Sequence, residues 1–325
     1  MSSAGNSIIF KPSEVTPQIG AFIHEVLSQF LPANIFQIAQ GDGGVGELIS
    51  KHPDISLIAF TGSTAAGKSI LKNASEGYCR CVLECWGKDA MVVFADADLE
   101  KASDEALKGA FFNTGQCCAS IERIYVASSV KTQFEVLCAQ KCLKYVAGPS
   151  KDPRSMVSCL ASKHQLSVVK SHVNDAVAKG AKILAKGGSV NGNDHKGYYF
   201  EATVVSDVPE SSLLFTEETF GPVCSIGSFD GTEEEAVSCA NRGNFGLGAT
   251  VFTSNVDAGT RVAKGIKAGQ VGVNCWGLLK ACPAATFHGC RCSGYSGHSG
   301  IEGFQSFSTV KSVIYPDACV CPTFP

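Results

Sequence analysis

The sequence predicts an α/β protein with a mostly parallel, doubly wound sheet, and three observations carry that prediction. Short apolar runs alternate with amphipathic helical stretches from Asn6 to Asn274. The 325 residues leave room for roughly two domains of about 100 to 200 residues each. With 45% hydrophobic and 18% charged residues the chain can bury sizeable cores, and no repeat or low-complexity tract interrupts the alternation.

Asn6 to Phe10, "NSIIF", reads as the first strand. Thr16 is placed to cap a helix with Pro17 at its first position, and Ile19, Phe22, Ile23, Val26, Leu27 and Phe30 share one face at helical spacing. The strand "IFQIA", a glycine turn, a short helix and the strand "ISLIAF" follow. A helix from near Ser63 leads to the strands "CRCVLECW" and "MVVFADAD", and "LEKASDEALKGAFFN" is a strong helix. Beyond it come "IYVAS", helices over 131–146 and 164–181, the strands "KILAKG", "ATVV" and "PVCSIGSF", a helix over 233–241, "ATVFTS", another helix and "QVGVNC".

Composition excludes several classes of function. A formal charge of -3 with no clustered Lys and Arg argues against a nucleic-acid partner. No apolar run approaches the ~18 residues that span a bilayer, and the N-terminus lacks a charged stretch followed by an apolar one. A soluble, cytoplasmic protein without a membrane partner is expected. The 16 cysteines are spread through a chain with strong core signals and read as reduced thiols rather than disulfide staples. Cys79-x-Cys81, Cys290-x-Cys292 and Cys319-x-Cys321 are spaced too closely for paired zinc ligands, so no metal site is expected.

Two glycine turns suggest nucleotides. Gly41-Asp-Gly43-Gly-Val-Gly46 fits G-x-G-x-x-G, but no acidic residue closes the next strand, and a tight turn explains it as well. Gly62-Ser-Thr-Ala-Ala-Gly67-Lys68-Ser69 fits the phosphate loop of an NTPase, with Asp96 available as the magnesium ligand of a second strand. Taken alone, that motif leaves a P-loop NTPase open. "FFNTGQCCAS" sets two thiols just past a glycine turn, where backbone amides can meet an oxyanion and sulfur can attack a carbonyl; inert core cysteines are the plainer reading.

Taken in order, these stretches resemble the aldehyde dehydrogenase superfamily. "GNSIIFKPSEVTP" is similar to its adenosine-binding strand and turn, "FTGSTAAGK" to its pyrophosphate turn and "LECWGK" to its general-base segment. "FFNTGQCCAS" is similar to the nucleophile segment, "EETFGPV" to the nicotinamide-ribose segment and "HGCRCSGYSGHSGIEGFQSFSTVKSV" to the closing glycine-rich run. The resemblance implies a partial Rossmann-like, parallel-sheet cofactor domain over 1–86, an α/β catalytic domain over 87–286, and a segment over 287–325 that returns to the cofactor domain and an oligomer strand.

It implies Cys118 as nucleophile, with Cys117 as its neighbour, and Glu84 as general base. Lys11, Ser13 and Glu14 would meet the adenosine ribose, Gly62 and Ser63 the pyrophosphate, and Glu218 and Phe220 the nicotinamide ribose. NAD is favoured because a carboxylate at Glu14 suits a free ribose hydroxyl and would repel a 2'-phosphate. The expected reaction is oxidation of a small-molecule aldehyde to its acid through a thiohemiacetal and thioester on Cys118, in a homo-oligomer.

The sequence also departs from the family pattern. The family carries an upstream segment of well over a hundred residues, including a subunit-contact hairpin and a Pro-Trp-Asn oxyanion motif; here the match begins at the adenosine strand, so the resemblance implies an N-terminally incomplete member. Trp86 replaces a glycine beside the nicotinamide, and Phe287-His288 stands where a phenylalanine and glycine are usual. A relative that binds a dinucleotide without turnover is the alternative these departures raise.

Overall fold

The computed structural model describes residues 2–190, 196–276 and 283–315. Cys319 and Cys321 lie outside them. The first unit holds β1 (Ile8–Phe10), α1 (Pro17–Ser28), β2 (Phe36–Ile38), α2 (Gly43–Lys51), β3 (Leu57–Thr61), α3 (Thr64–Glu76) and β4 (Arg80–Glu84). The second holds β5 (Asp89–Val93), α4 (Leu99–Phe111), β6 (Ile121–Ala127), α5 (Lys131–Cys142), α6 (Lys163–Ala178), β7 (Lys182–Lys186), β8 (Thr203–Ser206), α7 (Leu213–Thr216), β9 (Val223–Phe229), α8 (Glu233–Ala240), β10 (Gly248–Phe252), α9 (Val256–Gly265) and β11 (Gln270–Val273). Closing the described chain are β12 (Phe287–His288), β13 (Gly294–Tyr295), β14 (Gly297–His298) and α10 (Gly300–Ser306).

Seven strands form the main sheet in the order β11-β10-β5-β6-β9-β8-β7. All neighbours run parallel except β7, which is antiparallel to β8 at the edge. Its double winding follows from the two-residue period of a strand. Met91 and Val93 of β5 face a core with Ala106, Leu107 and Phe111 of α4 and Phe134 of α5, whereas Ala90 and Val92 face Ala236 of α8 and Val262 of α9. Each of the large side chains fully buried there contributes about 1.5–3 kcal/mol relative to exposure.

The first unit is thinner. Its strands form two separate sheets, β1 with β2, and β3 with β4, the latter flanked on its other side by β13 from the far end of the chain. One expectation is corrected here. Thr16 makes no side-chain cap, because φ -128 and ψ 51 take it out of the extended geometry that aims the hydroxyl at the helix amides, so Pro17 alone marks the start of α1. The apolar face of α1 is largely open: Phe22 is 61% and Phe30 80% exposed.

Candidate active site

The nucleophile segment begins where α4 stops. Sequence spacing carries that helix to Asn113, but it ends at Phe111, and Asn113 (φ 49), Thr114 (φ 63) and Gly115 (φ 69) take left-handed conformations in succession. Two non-glycine residues in that region cost roughly 1–3 kcal/mol each. Side chains hold the turn: Asn113 Nδ2 donates to the Gln116 carbonyl at 2.9 Å, Thr114 Oγ1 accepts from Ser158 N at 3.0 Å, and Gln116 Oε1 accepts from Ala161 N at 2.8 Å. Gly115 is required, since a Cβ there would lie 2.0 Å from the Gly221 carbonyl oxygen. The half-buried Cys117 and Cys118 follow.

Glu84 ends β4, the middle strand of its sheet, and is buried. Its carbonyl accepts from Gly62 N at 3.0 Å, which ties the glycine turn after β3 to the strand that carries the carboxylate. The chain then runs through Trp86, half-buried, to Gly87, where a Cβ would sit 2.0 Å from the Cys118 carbonyl oxygen. Gly87 N donates to Glu218 Oε1 at 2.9 Å. One glycine therefore brings the three chemistry-bearing segments into contact.

Beneath them lies a charged layer. Lys88 Nζ pairs with Glu122, and both side chains are 2% exposed. The Glu122 carboxylate also accepts from Thr219 N at 3.0 Å and from Phe220 N at 3.1 Å, fixing the strap that carries Glu218. Arg123 Nε donates to the Lys88 carbonyl at 3.0 Å, and Arg123 Nη1 to the Arg242 carbonyl at 2.8 Å. Removing one member of such a buried pair strands the other charge, at roughly 3–5 kcal/mol.

Electrostatics divide these groups. Burial raises the Glu84 carboxyl, and His298 partly offsets the rise. Burial, and next the Glu122 charge, lift Glu218 well above the usual range. Asp89, fully buried with Oδ1 accepting from Gly248 N at 2.9 Å, is pushed up by burial to about 8. The two thiols form one unit: the Cys118 S–H donates to Cys117 and brings Cys117 down to about 7, while donating and burial both raise Cys118. The pair therefore shares its protons, and its titration belongs to both sulfurs together.

Just past β3, Ser63 Oγ caps α3 by accepting from Ala66 N at 3.1 Å. Lys11 Nζ lies 3.4 Å from Glu14 Oε2, and the Lys11 side chain crosses Gly46 of α2, where Cδ would be 3.5 Å from a Cβ. A Cβ at Gly46 would meet the Lys11 stem only in ordinary van der Waals contact, so this turn stands as a turn. Ser13 Oγ accepts from Val15 N at 3.2 Å. Phe220, at φ 49, is half-buried next to Glu218.

The structure gathers Cys118, Glu84 and Glu218 around Gly87, places Gly62 and Ser63 behind Glu84, and sets Lys11, Ser13 and Glu14 at the end of β1. The NTPase reading is left without its pair. Lys68 is exposed on α3, whereas Asp96 follows β5 in the other sheet and accepts from Thr253 Oγ1 at 2.9 Å and Ser254 Oγ at 2.6 Å. Sequence reasoning gave no role to Lys88, Glu122 or His298. For Glu122 a signal existed: Glu-Arg inside "IERIYVA", a strand buried along its whole length. Among the described residues no group of three or more His, Cys, Asp or Glu is placed to hold a metal ion, and no helix is long and apolar enough to cross a membrane.

A parallel sheet bearing a thiol turn packed against a carboxylate strand defines the class, and comparison with known proteins gives the family. Residues 2–313 match the aldehyde dehydrogenase family, and the chain belongs to it. It is similar to the betaine aldehyde dehydrogenase of Rhizobium etli, 33% identical over 311 residues, which cover 95% of this chain and 63% of that one. Among solved structures, betaine aldehyde dehydrogenase from Staphylococcus aureus in complex with NAD+ matches with a TM-score of 0.86 at 32% identity over 93% of this chain and 60% of that one. Lactaldehyde dehydrogenase from Escherichia coli matches with a TM-score of 0.87 at 32% identity, over 93% and 63%. The chain therefore spans about three-fifths of the length of these relatives.

Proposed function

We propose that this chain oxidises an aldehyde to a carboxylic acid with NAD as hydride acceptor, using Cys118 as nucleophile and Glu84 as general base. The observation that carries this reading is the contact of Gly87 with the Cys118 carbonyl, which sets the thiol turn, the Glu84 strand and Glu218 around one point.

The residues fit a dinucleotide. A capped helix N-terminus suited to an anion follows Gly62, and Glu218 is held on a backbone amide. Lys11, Ser13 and Glu14 would hold the adenosine ribose, Gly62 and Ser63 the pyrophosphate, and Glu218 with Phe220 the nicotinamide ribose. NAD bound there supplies the hydride acceptor.

The Cys118 sulfur adds to the carbonyl carbon, and the Cys118 N–H stabilises the oxyanion of the thiohemiacetal. Loss of hydride leaves a thioester. Glu84 then takes a proton from water as the water oxygen adds to the thioester carbon; the C–S bond breaks, its electron pair returns to sulfur, and the acid departs. The raised Glu84 carboxyl suits this step, because a base works best when its pKa approaches the working pH.

The division into 1–86, 87–286 and 287–325 goes with the same reading, supported by the pairing of β13 with β4. So does a cytoplasmic setting, which keeps the described cysteines as free thiols. A homo-oligomer also belongs to it, and sedentary mass measurement by light scattering checks that point.

The test is to mix protein, NAD and a panel of aldehydes that includes betaine aldehyde and lactaldehyde, and to follow NADH. A burst that vanishes in Cys118→Ala and persists in Cys117→Ala supports the assignment; loss only in Cys117→Ala overturns it. A second reading, dinucleotide binding without turnover, is favoured by Trp86, a bulky residue one position before the contact glycine. That reading predicts bound NAD and no NADH.

A further inference from the structure

Glu84 is a buried carboxylate with an unusual neighbour. His298 Nε2, on β14, lies 3.1 Å from Glu84 Oε1, and the exposures of the two side chains are 42% and 8%. The approach is close but not aligned as a hydrogen bond, so Oε1 has no donor. The imidazole is held on two sides: Nδ1 is 2.8 Å from Ser299 Oγ, and the ring stacks on Phe287 at 5.3 Å with an interplanar angle of 17°. With its proton on Nδ1, donated to Ser299, the ring turns the Nε2 lone pair toward Glu84.

We propose that His298 is a proton-relay residue acting through Glu84, taking from the buried carboxyl the proton abstracted from water and passing it to solvent. The proposal rests on the aldehyde-oxidising reading above. After water adds to the thioester, the proton on Glu84 Oε1 moves to His298 Nε2, giving carboxylate and imidazolium. The imidazolium then gives its Nε2 proton to bulk water, which restores the tautomer protonated on Nδ1. No oxidant or further reactant enters. Without the relay, the protonated Glu84 would have to release its proton directly from a buried site before the next turnover.

Few other groups compete for this proton. Burial and His298 alone determine the shift of Glu84, so no second charge sets it. Around the pair, β3 carries no titratable side chain, β13 contributes Tyr295, and β12 contributes His288. On α10, Glu302 is engaged by Thr286 Oγ1 at 2.7 Å. Arg80 and Cys81 lie earlier on β4; just past its end is Cys85, and on the nucleophile turn Cys118, both thiols that the Glu84 charge raises.

The experiment compares the wild-type chain with His298→Gln, and with His298→Ala in the presence and absence of imidazole, in the NADH assay. At the low end of acid–base contributions, kcat is expected to fall about 100-fold in His298→Gln, with the burst amplitude and kcat/KM unchanged, because acylation precedes the relayed proton. Imidazole restores turnover to His298→Ala. The alkaline shift of the kcat profile in His298→Gln follows from losing the charge that holds Glu84 down. As a readout independent of turnover, 13C NMR of glutamate-labelled protein follows the Glu84 carboxyl, which titrates at higher pH in His298→Gln. An unchanged kcat, a parallel fall of kcat and kcat/KM without imidazole rescue, or an unmoved Glu84 titration overturns the relay. Wild-type protein that produces no NADH burst overturns the aldehyde reading, and the relay with it.

Discussion

Cys118→Ala gives the most direct view of the thiol pair, because it removes the S–H that brings Cys117 down to about 7. A value of about 7 predicts that about half of Cys117 reacts as thiolate at pH 7 in the wild type. Without its donor, Cys117 keeps only the raising effect of burial, opposed by the Ala119 amide, and returns toward the ordinary thiol value of 9.0. A rise of two units leaves about 1% thiolate at pH 7, so alkylation by iodoacetamide should slow about 50-fold there and converge with wild type only above about pH 9. Mass spectrometry of the peptide containing both cysteines, sampled from pH 5 to 10, gives the midpoint for each protein. Other buried thiols do not confuse the assay, since burial raises Cys81 to about 11 and Cys142 to about 12. An alkylation midpoint near 7 that survives Cys118→Ala would falsify the shared-proton account.

Three further perturbations test the scaffold. Gly115→Ala forces a Cβ to within 2.0 Å of the Gly221 carbonyl at φ 69, so it should lower stability by roughly 1–3 kcal/mol and abolish the burst; a wild-type Tm with a full burst would mean that the turn does not hold the nucleophile. Lys88→Met leaves Glu122 buried without its cation and should cost about 3–5 kcal/mol in urea unfolding, whereas a loss below 1 kcal/mol would show the pair to be dispensable. Asp89 keeps a proton up to about pH 8 when folded but releases it near its ordinary 3.8 when unfolded, so its contribution to stability is complete below about pH 4 and lost as the pH rises to about 8. Asp89→Asn retains the acceptor for Gly248 N and should flatten the decline of Tm between pH 5 and 8; an identical slope in both proteins refutes the assignment.

The parts of this molecule legible in its sequence are those in which local chemistry and global fold agree. The alternation that predicts a doubly wound sheet survives because Met91 and Val93 serve one helix layer while Ala90 and Val92 serve the other. Cys118, Glu84 and Glu218 were readable only as ordered segments of a family pattern; nothing in each segment alone says that Gly87 joins them. The end of α4 was misread because "AFFN" is acceptable helix, and only tertiary demands drive Asn113 and Thr114 into left-handed backbone. The stripe on α1 looks like a core face by spacing, yet spacing is silent on whether anything packs over it. His298 lay beyond sequence reasoning because its contact with Glu84 spans most of the chain.

The pairing of Gly294 with Glu84 also has a consequence for biosynthesis. The two residues are separated by about 210 positions, which at roughly 5–20 residues per second take a ribosome about 10–40 s to cross. Through that interval the seven-stranded sheet can assemble while one border of the carboxylate's strand stays open. A later-made part of the chain shuts it, so termination before Gly294 would yield a nascent product with an intact thiol turn and an unfinished base.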